Sequence, residues 1–203
     1  MILYSVDNGK YISPRPPKIY VNLTNLCNNA CEFCLRNLKT TGLWLENDPT
    51  ADEIISEIKM SNFTKVEEVI ICGYGEPTCR LPEMLEVLKF VKNNYKVKTR
   101  LNTNGLGSLE NGRDISSDFK NLLDVVSISL NASNAEKYFE ITKSQFGLSA
   151  YPAMLDFAEK MKSICEVVMT VVDVVTPPDE IELCKKICAE RGLKFRLRVY
   201  EGA

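Results

Sequence analysis

Six short, mostly apolar runs alternate with helix-patterned segments along this chain, and that order leaves few folds open. The runs are Lys18–Leu23, Val69–Cys72, Lys98–Asn102, Val125–Leu130, Val167–Val174 and Lys194–Val199. Helices are expected from Thr50, over Leu81 to Asn94 and Ile115–Leu123, within Ala135–Ile141 and Tyr151–Ser163, and from Pro177-Pro178 to Glu190. Thr50 and Glu53 have capping-box spacing, Ile54, Ile55 and Ile58 form one apolar face, and Gly192 is a helix stop. Strands that alternate with helices imply a parallel sheet with right-handed crossovers. Six units are too few for a closed eight-unit barrel. The expected fold is therefore α/β, an open partial (βα)6 barrel with a parallel sheet and outer helices. No repeat, low-complexity segment or linker divides it, so residues 1–203 read as a single domain.

Composition narrows the function. Apolar residues are 45% and charged residues 26% of 203, an ordinary balance for a globular chain. A net charge of −2 with dispersed Lys and Arg argues against a nucleic-acid partner and favours a small molecule. Met1–Lys10 lacks a signal pattern and no run of apolar residues is long enough to span a bilayer, so no membrane association and a cytoplasmic setting are expected. Thiols stay reduced there, which speaks against drawing the eight cysteines as disulfides. The chain has no histidine, so proton transfer would fall to Asp, Glu, Lys, Tyr or Cys.

Cys27, Cys31 and Cys34 form a C-x3-C-x2-C triplet in the loop after the first run. Thiolates are the preferred ligands of iron–sulfur clusters. A four-iron cube held by three cysteines keeps one iron open to a small molecule, which suits chemistry more than electron storage. A structural zinc site is the competing reading, but it calls for four Cys or His ligands, commonly as two pairs. At the end of the second run comes Cys72-Gly73-Tyr74-Gly75-Glu76-Pro77-Thr78. Gly75 permits close backbone approach to a ligand, and Glu76 places a carboxylate at the rim. The third run ends in Asn102-Thr103-Asn104-Gly105, which by itself is an ordinary Asn-Gly turn. In the fourth, alternation puts Ser127, Ser129 and Asn131 on one side, expected to face the barrel interior.

Taken in order, these motifs resemble those of the radical S-adenosylmethionine (radical SAM) enzymes. The resemblance implies a [4Fe-4S] cluster on Cys27, Cys31 and Cys34, with S-adenosyl-L-methionine at the open iron. It implies that Tyr74, Gly75, Glu76 and Pro77 hold the methionine amino group, with Tyr74 where the family has glycine. Thr103 would lie near the cofactor, Ser129 and Asn131 against the ribose, and Phe33, Val199 and Tyr200 against adenine. The family's chemistry is reductive cleavage of S-adenosylmethionine to a 5′-deoxyadenosyl radical, which implies an electron donor such as flavodoxin or ferredoxin.

Alternation gives an inward polar set of Asn22, Arg100, Asn102, Asp173, Arg196, Arg198 and Tyr200, while Arg36, Trp44 and Glu46 could form a further wall. Such a set suits a planar polar heterocycle or a carboxylated small molecule. The segments Val21–Asn25, Leu43–Glu46, Arg100–Gly105, Gly112–Asp114, Ser127–Asn131 and Thr170–Asp173 are similar to the short TatD-linked radical SAM proteins. That group includes queuine lyases. The resemblance implies a lyase that cleaves a carbon–nitrogen bond of queuine, a deazapurine, for salvage into tRNA modification. In that reading Asp173 and Glu46 accept from the deazaguanine N–H edge, while Asn22 and the arginines serve its carbonyl. A radical SAM enzyme acting on a peptide or another metabolite is the alternative reaction, and an iron–sulfur electron-transfer or structural metal module the alternative class.

Overall fold

The computed structural model describes residues 1–7, 10–38 and 42–199. Its eight strands are β1 Leu3–Asp7, β2 Lys10–Ile12, β3 Lys18–Val21, β4 Glu68–Ile71, β5 Lys98–Thr103, β6 Val125–Ser129, β7 Glu166–Val172 and β8 Lys194–Arg198. They form one sheet in the order β2-β1-β3-β4-β5-β6-β7-β8. All pairings from β3 to β8 are parallel, as the alternation predicts. The fold is an α/β partial barrel with helices outside the sheet.

The helices are α1 Ala51–Met60, α2 Leu81–Asn94, α3 Gly107–Glu110, α4 Ala135–Thr142, α5 Ala150–Met161 and α6 Pro178–Glu190. Thr50 caps α1 in a complete capping box: its hydroxyl accepts from the Glu53 N–H, and the Glu53 carboxylate accepts from the Thr50 N–H. Ile54, Ile55 and Ile58 then face the core. Residues of alternate parity on the strands, such as Ile19, Val21, Val69, Ile71, Val126 and Ile128, meet these helices in one continuous core. The opposite parity faces the barrel interior, where the polar residues of β5 and β6 stand.

Three expectations are corrected. The first two strands were not read from the sequence: they form an antiparallel hairpin whose β1 joins the edge of β3, with Leu3 opposite Val21 and Tyr4 opposite Tyr20. The Ile115–Leu123 helix is only a 3-10 turn at Ser116–Phe119. Asp114 accepts from both the N–H and the hydroxyl of Ser116, and Asn121 turns the chain at φ 63, so local hydrogen bonding replaces a helical ladder. The fifth run ends at Val172, and Asp173–Val175 turns as a 3-10 segment.

Cys184 and Cys188 of α6 are buried in the helix–sheet core, where burial pushes their thiols up to about 12 and about 11. No helix among the described residues is long and apolar enough to cross a membrane.

At the start of α6, Glu180 is 5% exposed, accepts from the Ser133 N–H at 2.6 Å and pairs with Lys137. Its carboxylate ties the loop after β6 to α4 and α6. We expect Glu180→Ala to cost about 1–2 kcal/mol, chiefly by orphaning the part-buried Ser133 N–H, since the Lys137 side chain is half exposed. Urea unfolding measures this, and an unchanged midpoint would assign those groups to solvent instead.

Candidate active site

The cysteine loop leaves β3 at the carboxyl end of the sheet and is pinned on every side. Thr24 donates to Asp48 at 2.9 Å and accepts from the Leu26 N–H at 3.0 Å. Asn25 exchanges two hydrogen bonds with the Leu45 backbone, at 2.7 and 3.2 Å. The Ala30 and Glu32 N–H groups donate to the Thr142 and Ile141 carbonyls, at 2.8 and 3.2 Å. Those carbonyls end α4 and would otherwise lack partners, so helix end and loop satisfy one another. Asn28 donates to Glu110 at 3.1 Å and accepts from Asn104 at 2.6 Å, which anchors the loop to α3 and to the end of β5.

Held this way, Cys27, Cys31 and Cys34 all line one cavity of about 200 Å³. All are free thiols. Burial pushes Cys27 up to about 11, helped by Glu76, and Cys31 up to about 12, helped by the other two cysteines. Ligation must therefore displace protons from these thiols. The Asn29 N–H donates to the Cys27 sulfur at 3.4 Å, and Arg36 Nε to the Cys34 sulfur at 3.4 Å. Among the described residues no three Cys, Asp or Glu side chains gather closely enough to hold a single metal ion. A cluster spreads its thiolates over separate irons, so a donor set of three thiols lining one cavity fits an iron–sulfur cube.

Glu76 is placed differently from the rim position expected of it. It is 4% exposed and accepts from the Thr78 N–H and hydroxyl at 3.1 and 2.7 Å, from the Thr103 hydroxyl at 2.7 Å and from the Asn104 N–H at 2.8 Å. Burial pushes its carboxyl up while these four bonds favour the ionised form. The glycine before it serves a protein contact: a Cβ on Gly75 would lie 2.4 Å from the Thr24 and Leu26 carbonyls, and its N–H donates to Thr24 at 2.9 Å. Gly73, at φ 147, sits against Asn22, whose Oδ1 would lie 2.1 Å from a Cβ there. Both glycines thus let the β4 exit lie flat on the β3 exit.

Of the residues expected around the cofactor, Phe33, Tyr74, Gly75 and Glu76 line the cysteine cavity. So do Thr103, Ser129, Asn131 and the exposed Val199. Pro77 instead starts a buried 3-10 turn and does not line the cavity, and Tyr200 lies outside the described residues. The cavity also takes in Asn29, Cys72, Asn104, Tyr138 and Val172, which the sequence reading did not assign to it. Cys72 and Asn104 stood inside motifs already singled out. Tyr138 carries no such signal, because only the docking of α4 on the cysteine loop brings it there.

The expected substrate set divides. Asn102 and Arg198 line the cysteine cavity and an adjoining compartment of about 350 Å³, and Arg196 lines that compartment alone. The compartment's far wall is aromatic: Tyr4 stacks on Tyr20 with ring centroids 5.1 Å apart and meets Tyr11 edge-on at 5.7 Å. Cys72, Gly73 and Tyr74 join the two spaces. Asn22 is fully buried behind Gly73 and donates to the Leu43 carbonyl at 2.7 Å, so it supports the wall without reaching the interior. Arg100 sits at the opposite, amino-terminal end, where it pairs with Glu68 at 2.8 Å and donates to Ser127 at 3.1 Å. Trp44, 63% exposed, and Glu46 line a separate outer groove beside α1. Asp173 follows inward-facing Val172, has the opposite parity and lines neither space. Arg36 braces the cysteine loop instead of walling the substrate.

The model of the radical SAM superfamily matches residues 21–187. No curated protein matches the chain. Among solved structures, Streptococcus suis SuiB bound to precursor peptide SuiA superposes with a TM-score of 0.67 at 20% identity, over 91% of this chain and 39% of that one. A radical SAM methyltransferase from Sphaerobacter thermophilus gives 0.66 at 16% identity, over 93% of this chain and 57% of that one. TYW1 with a lysine-pyruvate adduct gives 0.64 at 14% identity, over 97% and 77%. At these identities the likeness is one of fold. The chain spans about two fifths of SuiB's length.

Glu76→Gln is isosteric but turns one acceptor into a donor facing a donor. We expect it to lower stability by about 1–3 kcal/mol in urea unfolding and to weaken S-adenosylmethionine binding in equilibrium dialysis. Native values for both would show that the four bonds are dispensable.

Proposed function

This chain belongs to the radical SAM superfamily, whose enzymes use a [4Fe-4S] cluster and S-adenosylmethionine, and we propose that it turns that chemistry on a flat small molecule held in the tyrosine-walled compartment. The observation that carries the reading is adjacency: the space lined by Cys27, Cys31 and Cys34 shares Cys72, Gly73, Asn102 and Arg198 with the compartment of Tyr4, Tyr20 and Arg196. When bound, the cofactor pair supplies a 5′-deoxyadenosyl radical, a hydrogen-atom abstractor. The protein's part is aim and exclusion of water.

Cys27, Cys31 and Cys34 are the cluster ligands in this reading. Glu76, spent on four protein donors, fixes the 73–75 backbone along which the methionine ammonium is recognised. Ser129 and Asn131 offer polar contacts to the ribose. Asn131 also holds β6 to β7, since its Oδ1 accepts from the Val172 N–H at 3.2 Å. Phe33 and Val199 give apolar surface for adenine. Beyond the junction, Asn102, Arg196 and Arg198 present donors opposite the stacked tyrosines. That pairing suits a planar ring bearing carbonyl or hydroxyl groups.

Queuine is the specific substrate we put forward, with release of 7-aminomethyl-7-deazaguanine by carbon–nitrogen cleavage. Its flat base suits the tyrosine wall, and the sequence resemblance to the TatD-linked group supports it. Glu46 and Asp173 have no part in this reading, and recognition rests on the ring faces and the carbonyl and diol oxygens. A low-potential one-electron protein such as flavodoxin or ferredoxin is the proposed electron donor, and the cytosol the proposed compartment.

The test is anaerobic incubation of the reconstituted protein with S-adenosylmethionine, dithionite and queuine, followed by mass spectrometry. Deoxyadenosine together with 7-aminomethyl-7-deazaguanine is the expected result. Deoxyadenosine without loss of queuine discards the substrate and keeps the chemistry. In the same assay Cys27→Ala, Cys31→Ala and Cys34→Ala are each expected to reduce deoxyadenosine to background, whereas Cys184→Ala, buried far from the cavity lining, retains it. Equal loss in Cys184→Ala would move the cluster assignment.

A further inference from the structure

Arg36 spends all three guanidinium nitrogens on the cysteine loop. Nε donates to the Cys34 sulfur at 3.4 Å, Nη1 to the Asn25 carbonyl at 3.0 Å and Nη2 to the Asn29 carbonyl at 3.2 Å. Asn29 in turn donates its N–H to the Cys27 sulfur at 3.4 Å. One planar side chain therefore reaches across the loop, touching one ligand sulfur directly and fixing the residue that touches another. A lysine could not do this, because its ammonium lacks the rigid fork that serves three acceptors at once.

The charge balance is equally specific. Arg36 is half-buried and makes no ion pair with a carboxylate among the described residues. A part-buried cation without a carboxylate needs another counter-charge. The groups in position to supply it are the cysteine sulfurs, which carry negative charge once they bind iron.

We propose that Arg36 sets the reduction potential of the cluster held by Cys27, Cys31 and Cys34. The inference rests on the reading of those residues as cluster ligands. Reduction adds an electron that is shared with the ligand sulfurs. A fixed guanidinium with its N–H on the Cys34 sulfur stabilises that added charge, so the reduced state is favoured. Arg36 is a positioning residue in this account: it acts through Cys34 and has no contact with the substrate compartment.

The experiment is an EPR-monitored redox titration of the reconstituted protein beside Arg36→Gln and Arg36→Lys, with iron and sulfide determined on each. At the native midpoint the reduced-to-oxidised ratio is expected to fall about tenfold in Arg36→Gln, a downward shift of about 59 mV for a one-electron couple. Arg36→Lys, which keeps the charge and loses the fork, should fall between. An Arg36→Gln protein with native iron and sulfide and an unmoved midpoint overturns the proposal and leaves Arg36 a loop brace. Should Arg36→Gln fail to load, Arg36→Lys decides: a midpoint below the native one with native iron and sulfide supports the proposal, and an unmoved midpoint overturns it. A native chain that takes up no iron and sulfide overturns the cluster reading as well, so the two failures are distinguishable.

Discussion

The carboxylate of Glu76 has almost no contact with solvent, and four hydrogen bonds converge on it. Taking a carboxylate out of water costs several kcal/mol unless its lone pairs are filled. Here two hydroxyls and two backbone N–H groups fill them, each bond to a charged acceptor contributing about 1.5–3 kcal/mol. Because two of the four donors come from Thr103 and Asn104, the node fixes the exit of β4 against the end of β5. Asn104 then passes the constraint to Asn28, and so to the cysteine loop. The three thiols share a cavity because this chain of buried polar contacts leaves the loop a single place to lie.

The same economy appears at the glycines. Gly75 looks in the sequence like an opening for a ligand, yet the space that it and Gly73 leave is already filled by the Thr24 and Leu26 carbonyls and by Asn22. Backbone approaches backbone there, and the ligand-facing surface is a secondary result of that fit. Arg36 follows a related logic, since its side chain satisfies loop carbonyls while delivering charge to a sulfur.

More of the fold than of the tyrosine-walled compartment is legible in the sequence, for physical reasons. Short apolar-rich runs that alternate with amphipathic helices have a strong signal, and β3 to β8 lie within a residue or two of the expected runs. The β1–β2 hairpin does carry a signal, the Asn8-Gly9 pair between Asp7 and Lys10, but the runs beside it are too short and too polar for alternation alone to declare strands. The cysteine triplet and the strand-end motifs were readable because ligand chemistry demands fixed residue types at fixed spacing. The residues of that compartment are less legible, because their places depend on which parity of a strand faces inward and on loops without periodicity. Asp173 shares the parity of Val171, which packs in the helix–sheet core, so alternation along β7 does not turn it inward, and Trp44 and Glu46 stand on a loop that no periodicity describes. Arg100 kept its inward parity but sits at the wrong end of its strand, bound to Glu68.

The aromatic wall has a consequence for how this scaffold diversifies. Tyr4, Tyr11 and Tyr20 all precede residue 21, where the match to the superfamily model begins. The cysteine cavity and the aromatic wall of the space beside it are thus written in different stretches of chain, joined along the edge where β1 pairs with β3. An antiparallel hairpin on a sheet edge can change side chains, length or tilt without disturbing the parallel strands beside it. If the proposed function holds, selectivity can drift at Tyr4, Tyr11 and Tyr20 while the cysteine loop, Glu76 and the β5 exit stay constrained by their buried hydrogen bonds.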